Sequence, residues 1–359
     1  MNASYSERER LLLLLAARGE LDESTRTALS RTCAEGVSDA DLEKICAAVI
    51  ETDTNGVYKG NRAGLLRLAD EEVARLERRN CFAVTLLSAD YPAALAAIPD
   101  PPLVLFCAGR RELLGARKFC IVGSRLLPAW AAKAGRNIAQ ELSVRFVIVT
   151  GIAEGGDRAA IDGALPAGNL ISVLPCGLDV DYPAAHAALK REIAGRGLVV
   201  TEYPFGTRAQ KYSFHARNRI LAGLSEGVLV LAAGEKSGTL ITANAALSYG
   251  RDVFALPHNA GAAQGAGCNE LIKQGAYLCT DAGDVLEAYG MPRTARREPA
   301  LTPAEEKLLG ALRQRGEAHA AVLAQLAGVP VWEAQATLAA LELKGLIARS
   351  GANQYAALK

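Results

Sequence analysis

Tyr203 to Ser225, YPFGTRAQKYSFHARNRILAGLS, holds Arg208, Lys211, Arg217 and Arg219 with no Asp or Glu among them. Tyr203, Phe205, Tyr212 and Phe214 are interleaved with these cations. Positive charge neutralises backbone phosphates and flat rings stack on unpaired bases, so this mixture suits a single nucleic-acid strand. Two plainer roles compete with that one: Phe214 as a core side chain, and Arg219 as the partner of a carboxylate elsewhere in the chain.

Three turns carry further candidate contacts. Phe119-Cys-Ile-Val-Gly123-Ser124-Arg125 reads as a strand ending in a glycine turn before a helix. Backbone N–H groups at such a junction favour phosphate, and the Arg125 fork suits phosphate oxygens, although a tight turn with a solvated arginine fits equally. Gly151, Gly155 and Gly156 mark a second strand-to-helix junction that lets another backbone come close, and Asp157 either caps the helix or faces the site. Gly234 to Thr242 opens a third helix, where Ser237, Gly238 and Thr239 offer hydroxyls and N–H groups.

Other chemistries find little support. No G-x-G-x-x-G or G-x-x-x-x-G-K-[ST] is present, so neither a dinucleotide fingerprint nor ATP hydrolysis is indicated. His186, His215, His258 and His319 are scattered, and eight cysteines form no CxxC pair. We therefore expect no metal, no cofactor and no catalytic triad, and reduced, buried thiols in a cytoplasmic protein. The chain has 359 residues and a formal charge of +1, which excludes a polycation that binds by bulk charge. Charge is nonetheless uneven: residues 1–75 hold 10 basic and 14 acidic side chains, 76–300 hold 24 and 20, and 301–359 hold 6 and 5. Leu11 to Ala17 is too short an apolar run to cross a membrane.

These candidates need a scaffold, and the hydrophobic pattern supplies one. Helical spacing is expected over Glu7–Arg18, Glu23–Cys33, Asp39–Thr52 and Arg62–Arg79. From Phe82 the pattern changes to short apolar runs: 84–87, 103–106, 119–122, 146–149, 170–174, 198–201, 228–232 and 253–256. Helix-like stretches at 130–144, 184–194 and 240–249 separate several of them. That alternation predicts an α/β, Rossmann-like, doubly wound, mostly parallel sheet covered on both faces. A polar linker at 291–300 leads to Thr302-Pro-Ala-Glu305, a capped helix start. Two more helices and a terminal hairpin then predict a C-terminal winged helix over 301–359.

Several segments resemble the DNA-processing protein A family (DprA, also called Smf). They are Ile121-Val-Gly-Ser-Arg125, the Thr150-Gly turn leading to Gly156-Asp157, and Thr201-Glu-Tyr-Pro-Phe-Gly206 with Phe214-His-Ala-Arg-Asn218-Arg219. Ser237-Gly-Thr-Leu-Ile-Thr-Ala243, Gly250 to Pro257 and Gly267 to Ala276 extend the likeness. The resemblance covers roughly 80–285 and implies an N-terminal helical (SAM-like) domain over 1–78 and a Rossmann-like DNA-binding domain over 79–290. It also implies a recombination mediator that protects incoming single-stranded DNA and helps load the RecA recombinase during natural transformation, as a homodimer. The site residues it implies are Gly123, Ser124, Arg125, Gly151, Gly155, Gly156, Asp157, Lys211, Phe214, Arg217, Asn218, Arg219, Ser237, Gly238 and Thr239. The chain departs from the family pattern at Gly155-Gly-Asp157, at Ala160-Ile161 and at Pro257-His258. Two other readings are weighed against this one, a nucleotide-sensing module and a nucleoside-monophosphate phosphoribohydrolase of the lysine-decarboxylase-like (LOG) group. The latter uses a loop glutamate where this chain has Thr242, a hydroxyl that cannot replace a carboxylate.

Overall fold

The computed structural model describes residues 5–18, 28–33, 38, 42, 62–293 and 301–358. It divides into two compact units, Met1–Thr294 and Ala295–Lys359. The helix expected over Asp39–Thr52 lies outside the described residues apart from Leu42.

In the first unit the strands are β1 (Phe82–Thr85), β2 (Val104–Gly109), β3 (Lys118–Val122), β4 (Val147–Thr150), β5 (Leu170–Val173), β6 (Leu198–Thr201), β7 (Gly227–Val230), β8 (Asp252–Ala255) and β9 (Tyr277–Leu278). They form one sheet in the order β1-β2-β6-β5-β4-β3-β7-β8-β9. From β6 to β9 every pairing is parallel, and β1 and β2 add an antiparallel edge. The chain winds outward from β3 through β4, β5 and β6, then returns to β3's other side for β7, β8 and β9. The winding direction therefore reverses between β3 and β7, and a crevice opens there beyond the carboxyl ends of the strands.

Side chains alternate across the sheet, as the strand period demands. Phe119 and Ile121 of β3 pack on one face with the Ala129–Leu142 and Gly156–Ala164 helices. Cys120 and Val122 point to the other, where Ile220, Leu221 and Leu224 of the Lys211–Leu224 helix and Ala243 and Ala246 of the Thr239–Ser248 helix cover them. Burial on both faces explains why these strands read as continuous apolar runs.

Described residues before position 78 share this core. Leu11 to Leu15 of the Glu7–Arg18 helix belong to the same buried cluster as Phe106 and Phe119, together with Leu65, Leu68 and Leu76 of the Arg62–Glu77 helix. The Tyr5 hydroxyl donates to the Ala83 carbonyl at 3.0 Å, and Ser30 Oγ donates to the Pro101 carbonyl at 2.8 Å.

In the second unit, helices Pro303–Arg315, Ala320–Ala327 and Val331–Leu343 pack on a three-stranded sheet of β10 (Glu317–His319), β11 (Ile347–Gly351) and β12 (Gln354–Ala357). This is a winged helix, with β10 as a strand the sequence pattern did not announce. Thr302 and Glu305 form a reciprocal capping box with Pro303 in the first turn. Leu308, Leu312, Leu323, Leu338, Leu341, Ile347 and Tyr355 fill its core.

Candidate nucleic-acid interface

A cleft of about 850 Å³ lies at the reversal point between β3 and β7. Of the candidate residues, Gly123, Ser124, Arg125, Asp157, Lys211, Phe214, Arg217, Asn218, Ser237, Gly238 and Thr239 line it. Four chain segments deliver them: the turn after β3, the start of the Lys211–Leu224 helix, the start of the Thr239–Ser248 helix and, for Asp157, the start of the Gly156–Ala164 helix. Gln210 N–H donates to Ser213 Oγ at 2.9 Å at the start of the second of these, which fixes where Lys211 and Phe214 emerge.

The floor is a contact between two backbones. Ser124 donates its N–H to the Ala232 carbonyl at 2.8 Å and accepts from Gly156 N–H at 3.1 Å. A Cβ on Gly156 would fall 2.3 Å from both Cα and N of Gly123, and one on Gly155, where φ is +80°, would fall 2.1 Å from the Ser124 carbonyl oxygen. Only glycine allows this approach. Gly155 and Gly156 thus close the floor without lining the cleft.

Beside the floor lies a buried pair, Arg217 and Asp157. Arg217 Nη1 donates to the Val173 carbonyl at 2.7 Å and Nε to Asn218 Oδ1 at 3.1 Å, while Asp157 Oδ2 accepts from Ala153 N–H at 3.1 Å. A Cβ on Gly151 would sit 2.2 Å from Asp157 Oδ2 and 2.3 Å from Arg217 Nη1, so Gly151 makes room for the pair. Burial pushes the Asp157 carboxyl above its ordinary range and pulls the Arg217 guanidinium below its own, and each charge opposes the other's shift.

The outer wall is cationic and aromatic. The exposed Arg125 guanidinium lies 5.4 Å from the centroid of the Phe214 ring, and Tyr182 meets that ring edge-on at 5.5 Å. Lys211 is exposed at the helix start, with Gln210 and His215 beside it on the wall. Opposite, Ser237 Oγ bonds to Thr239 Oγ1 at 3.1 Å and accepts from Thr239 N–H at 3.3 Å. The next two N–H groups bond back to Ser237 and Gly238, so anion recognition there falls to the hydroxyls and the positive end of the helix dipole.

Arg219 is not in the cleft. The acid-free run and the family resemblance both place it among the DNA contacts, but it points to the opposite side of its helix, its side chain is only 12% exposed, and the competing role as a carboxylate's partner is the one found. Its Nε pairs with Asp100 at 3.1 Å and its Nη2 with Glu202, whose side chain is 4% exposed. A guanidinium held by two carboxylates has little left for a ligand. Tyr203 is also buried, and Phe205 faces the Arg62–Glu77 helix.

Sequence reasoning missed Tyr182, Gln210, His215 and Ala153 on the cleft wall. Tyr182 lies in an irregular stretch with no periodicity to flag it. His186 is buried, with Nδ1 2.6 Å from the Ile152 carbonyl and Nε2 2.6 Å from Glu154 Oε1, which braces the loop between β4 and the cleft. Among the described residues no group of three His, Cys, Asp or Glu side chains is placed to hold a metal ion, and the described cysteines carry free thiols.

Comparison with known proteins agrees with this geometry. The sequence profile of DNA recombination-mediator protein A matches residues 82–290, and that of the DprA winged helix domain matches 292–353. The DNA processing protein DprA of Streptococcus pneumoniae is 42% identical over 206 residues, covering 57% of this chain and 73% of that protein. Protein Smf of Escherichia coli is 36% identical over 286 residues, 76% of each. Among solved structures, that of the S. pneumoniae protein matches with a TM-score of 0.62 at 32% identity, over 79% of this chain and 98% of that one. A DprA from Helicobacter pylori, described in terms of its single-stranded DNA binding mode, matches with a TM-score of 0.53 at 32% identity, over 58% and 95%.

Proposed function

Because this chain belongs to the DNA recombination-mediator protein A family, we propose that its cleft holds one strand of DNA. The observation that carries this reading is the joining of Arg125, Lys211, Phe214 and Tyr182 on one wall, opposite the Ser237–Thr239 hydroxyls. Arg125 and Lys211 neutralise successive phosphates, and the Phe214 and Tyr182 rings offer stacking faces that only an unpaired base can reach. The cleft carries no catalytic step: Thr242 stands where a phosphoribohydrolase needs a carboxylate, and Asp157 is buried, with Oδ2 held by Ala153 N–H and the Arg217 charge near it. Loading of the RecA recombinase, homodimer formation and a cytoplasmic location complete the proposal. They rest on family membership, and the last is compatible with the absence, among the described residues, of any helix long and apolar enough to cross a membrane.

The test is a competition titration with a labelled oligothymidylate displaced by unlabelled single strand, duplex or nucleoside monophosphate. Displacement by single strand at far lower concentration than by duplex is the expected result, with affinity falling as salt rises. Equal displacement by duplex overturns the reading. Displacement by monophosphate at comparable concentration, or release of free base from it, turns the cleft into a nucleotide site.

A further inference from the structure

Phe205 lies between β6 and the Lys211–Leu224 helix, outside the cleft, and two guanidiniums from another part of the chain converge on it. Arg75 Cζ sits 5.2 Å and Arg79 Cζ 4.8 Å from its ring centroid. Arg75 lies in the last turn of the Arg62–Glu77 helix and Arg79 two residues past its end, in the turn that follows. One guanidinium satisfies a cation–π contact, and a second brought to the same ring adds like-charge repulsion. Arg75 has Glu72 at 3.6 Å, whereas Arg79 has no ion pair among the described residues. Asp179 accepts from Gly206 N–H at 2.7 Å and forms no ion pair with either arginine, and Asp181 pairs with Lys190. The exposed Arg79 guanidinium is therefore open to an anion from solution.

The route from there to the cleft is short and pinned. Ala209 already lines the cleft, and the four residues from Phe205 to it span at most about 14 Å. Gly177 N–H donates to the Thr207 carbonyl at 2.9 Å and Thr207 N–H to that of Pro204 at 3.2 Å, so the turn is held against the neighbouring loop. Arg208, exposed on this route, also has no ion pair among the described residues.

From this geometry we infer that Arg75, Arg79 and Phe205 form a second contact for the same DNA strand, taking up phosphates that leave the cleft past Ala209. The helical segment before β1 then lengthens the footprint. This rests on the cleft reading, and the experiment separates the two. Anisotropy titrations use oligothymidylates from the shortest that binds to several times that length, against wild type, Arg79→Gln, Arg75→Gln/Arg79→Gln, Arg79→Lys and Arg125→Ala. The expected result is unchanged affinity of the double variant for the shortest strand and a loss of about tenfold for the longest, as for a lost charged contact. Its salt slope should flatten by about 1.4, at roughly 0.7 per phosphate on a single strand. Arg79→Lys should retain most of the long-strand affinity. No loss, or an equal loss at every length, overturns the inference. Failure of Arg125→Ala to weaken the shortest strand would instead refute the cleft while leaving the length dependence of the Arg79 variants to report on this surface.

Discussion

Replacing Arg219 by alanine should destabilise the protein and spare its affinity for DNA. The side chain is 12% exposed and its partner Glu202 is 4% exposed, so solvent screens their interaction poorly. Removing the guanidinium strands the Glu202 carboxylate in a dry site, and breaking a buried pair from one side costs about 3–5 kcal/mol. Asp100 is a third exposed and rehydrates, which places the cost toward the lower end of that range. For a unit of this size each kcal/mol lowers Tm by about 2–4 °C, so a fall on the order of 10 °C is expected. A second variant checks the cause: Arg219→Met with Glu202→Leu removes both charges and fills the space with apolar atoms, so it should recover much of the lost stability. Thermal melts run beside single-strand titrations read both quantities on one sample. An unchanged Tm with lost affinity would place Arg219 on the DNA. A double variant no more stable than the single would show that the stranded carboxylate is not what costs stability.

Arg125→Ala should weaken single-strand binding by about tenfold or more, the scale of a charged hydrogen bond, with Tm unchanged because the side chain is exposed; Arg125→Lys should restore part of the loss, as measured by titration. Lys118 is buried, its Nζ donating to the Leu114 and Ala116 carbonyls at 2.6 Å each, and burial pulls its pKa down to about 8. The unfolded chain therefore holds the Lys118 proton more tightly between pH 8 and its ordinary value near 10.5. This group makes stability rise with pH across that window, by about 3 kcal/mol in all. Denaturant titrations of wild type minus Lys118→Met should show that rise, and a flat difference would refute it. Deleting residues 295–359 should leave single-strand affinity within a few-fold, since the Val331–Leu343 helix carries Glu333 and Glu342, no Lys or Arg, and a 72%-exposed Trp332. A collapse of binding would show that the winged helix grips DNA.

The sheet was legible because strands buried on both faces cannot hide: each apolar run from 119 to 256 corresponds to a strand, displaced by a residue or two at the ends. β9 was not, since two residues, Tyr277 and Leu278, make no pattern. The Lys211–Leu224 helix is not among the helices expected from the pattern, because its first half mixes Lys, Tyr, Phe, His and Arg to serve the cleft and only its second half is apolar. For Arg219 the sequence left two roles open, and a related reason kept the pairing with carboxylates from being chosen. The acid-free run begins at Tyr203, one residue after Glu202, and the other partner, Asp100, is distant in sequence. Composition therefore registered the cations and could not register their pairing. The glycines at 155 and 156 were recognised as close-approach positions, but the approaching group is the backbone at 123 and 124.

That seam between Gly123 and Gly156 bears on the kinetics of capture. Two backbones in direct contact leave no side chain to repack between alternative positions, and hydrogen bonds from Ser124 to Ala232 and from Gly156 to Ser124 tie the turn after β3 to its neighbours on both sides. A floor built this way is already in its loaded shape, so the ordering cost of association falls on the strand and hardly on the protein. Arrival should then follow a single exponential whose rate scales linearly with DNA concentration and climbs as salt is diluted, as for an encounter guided by charge with no gate to open.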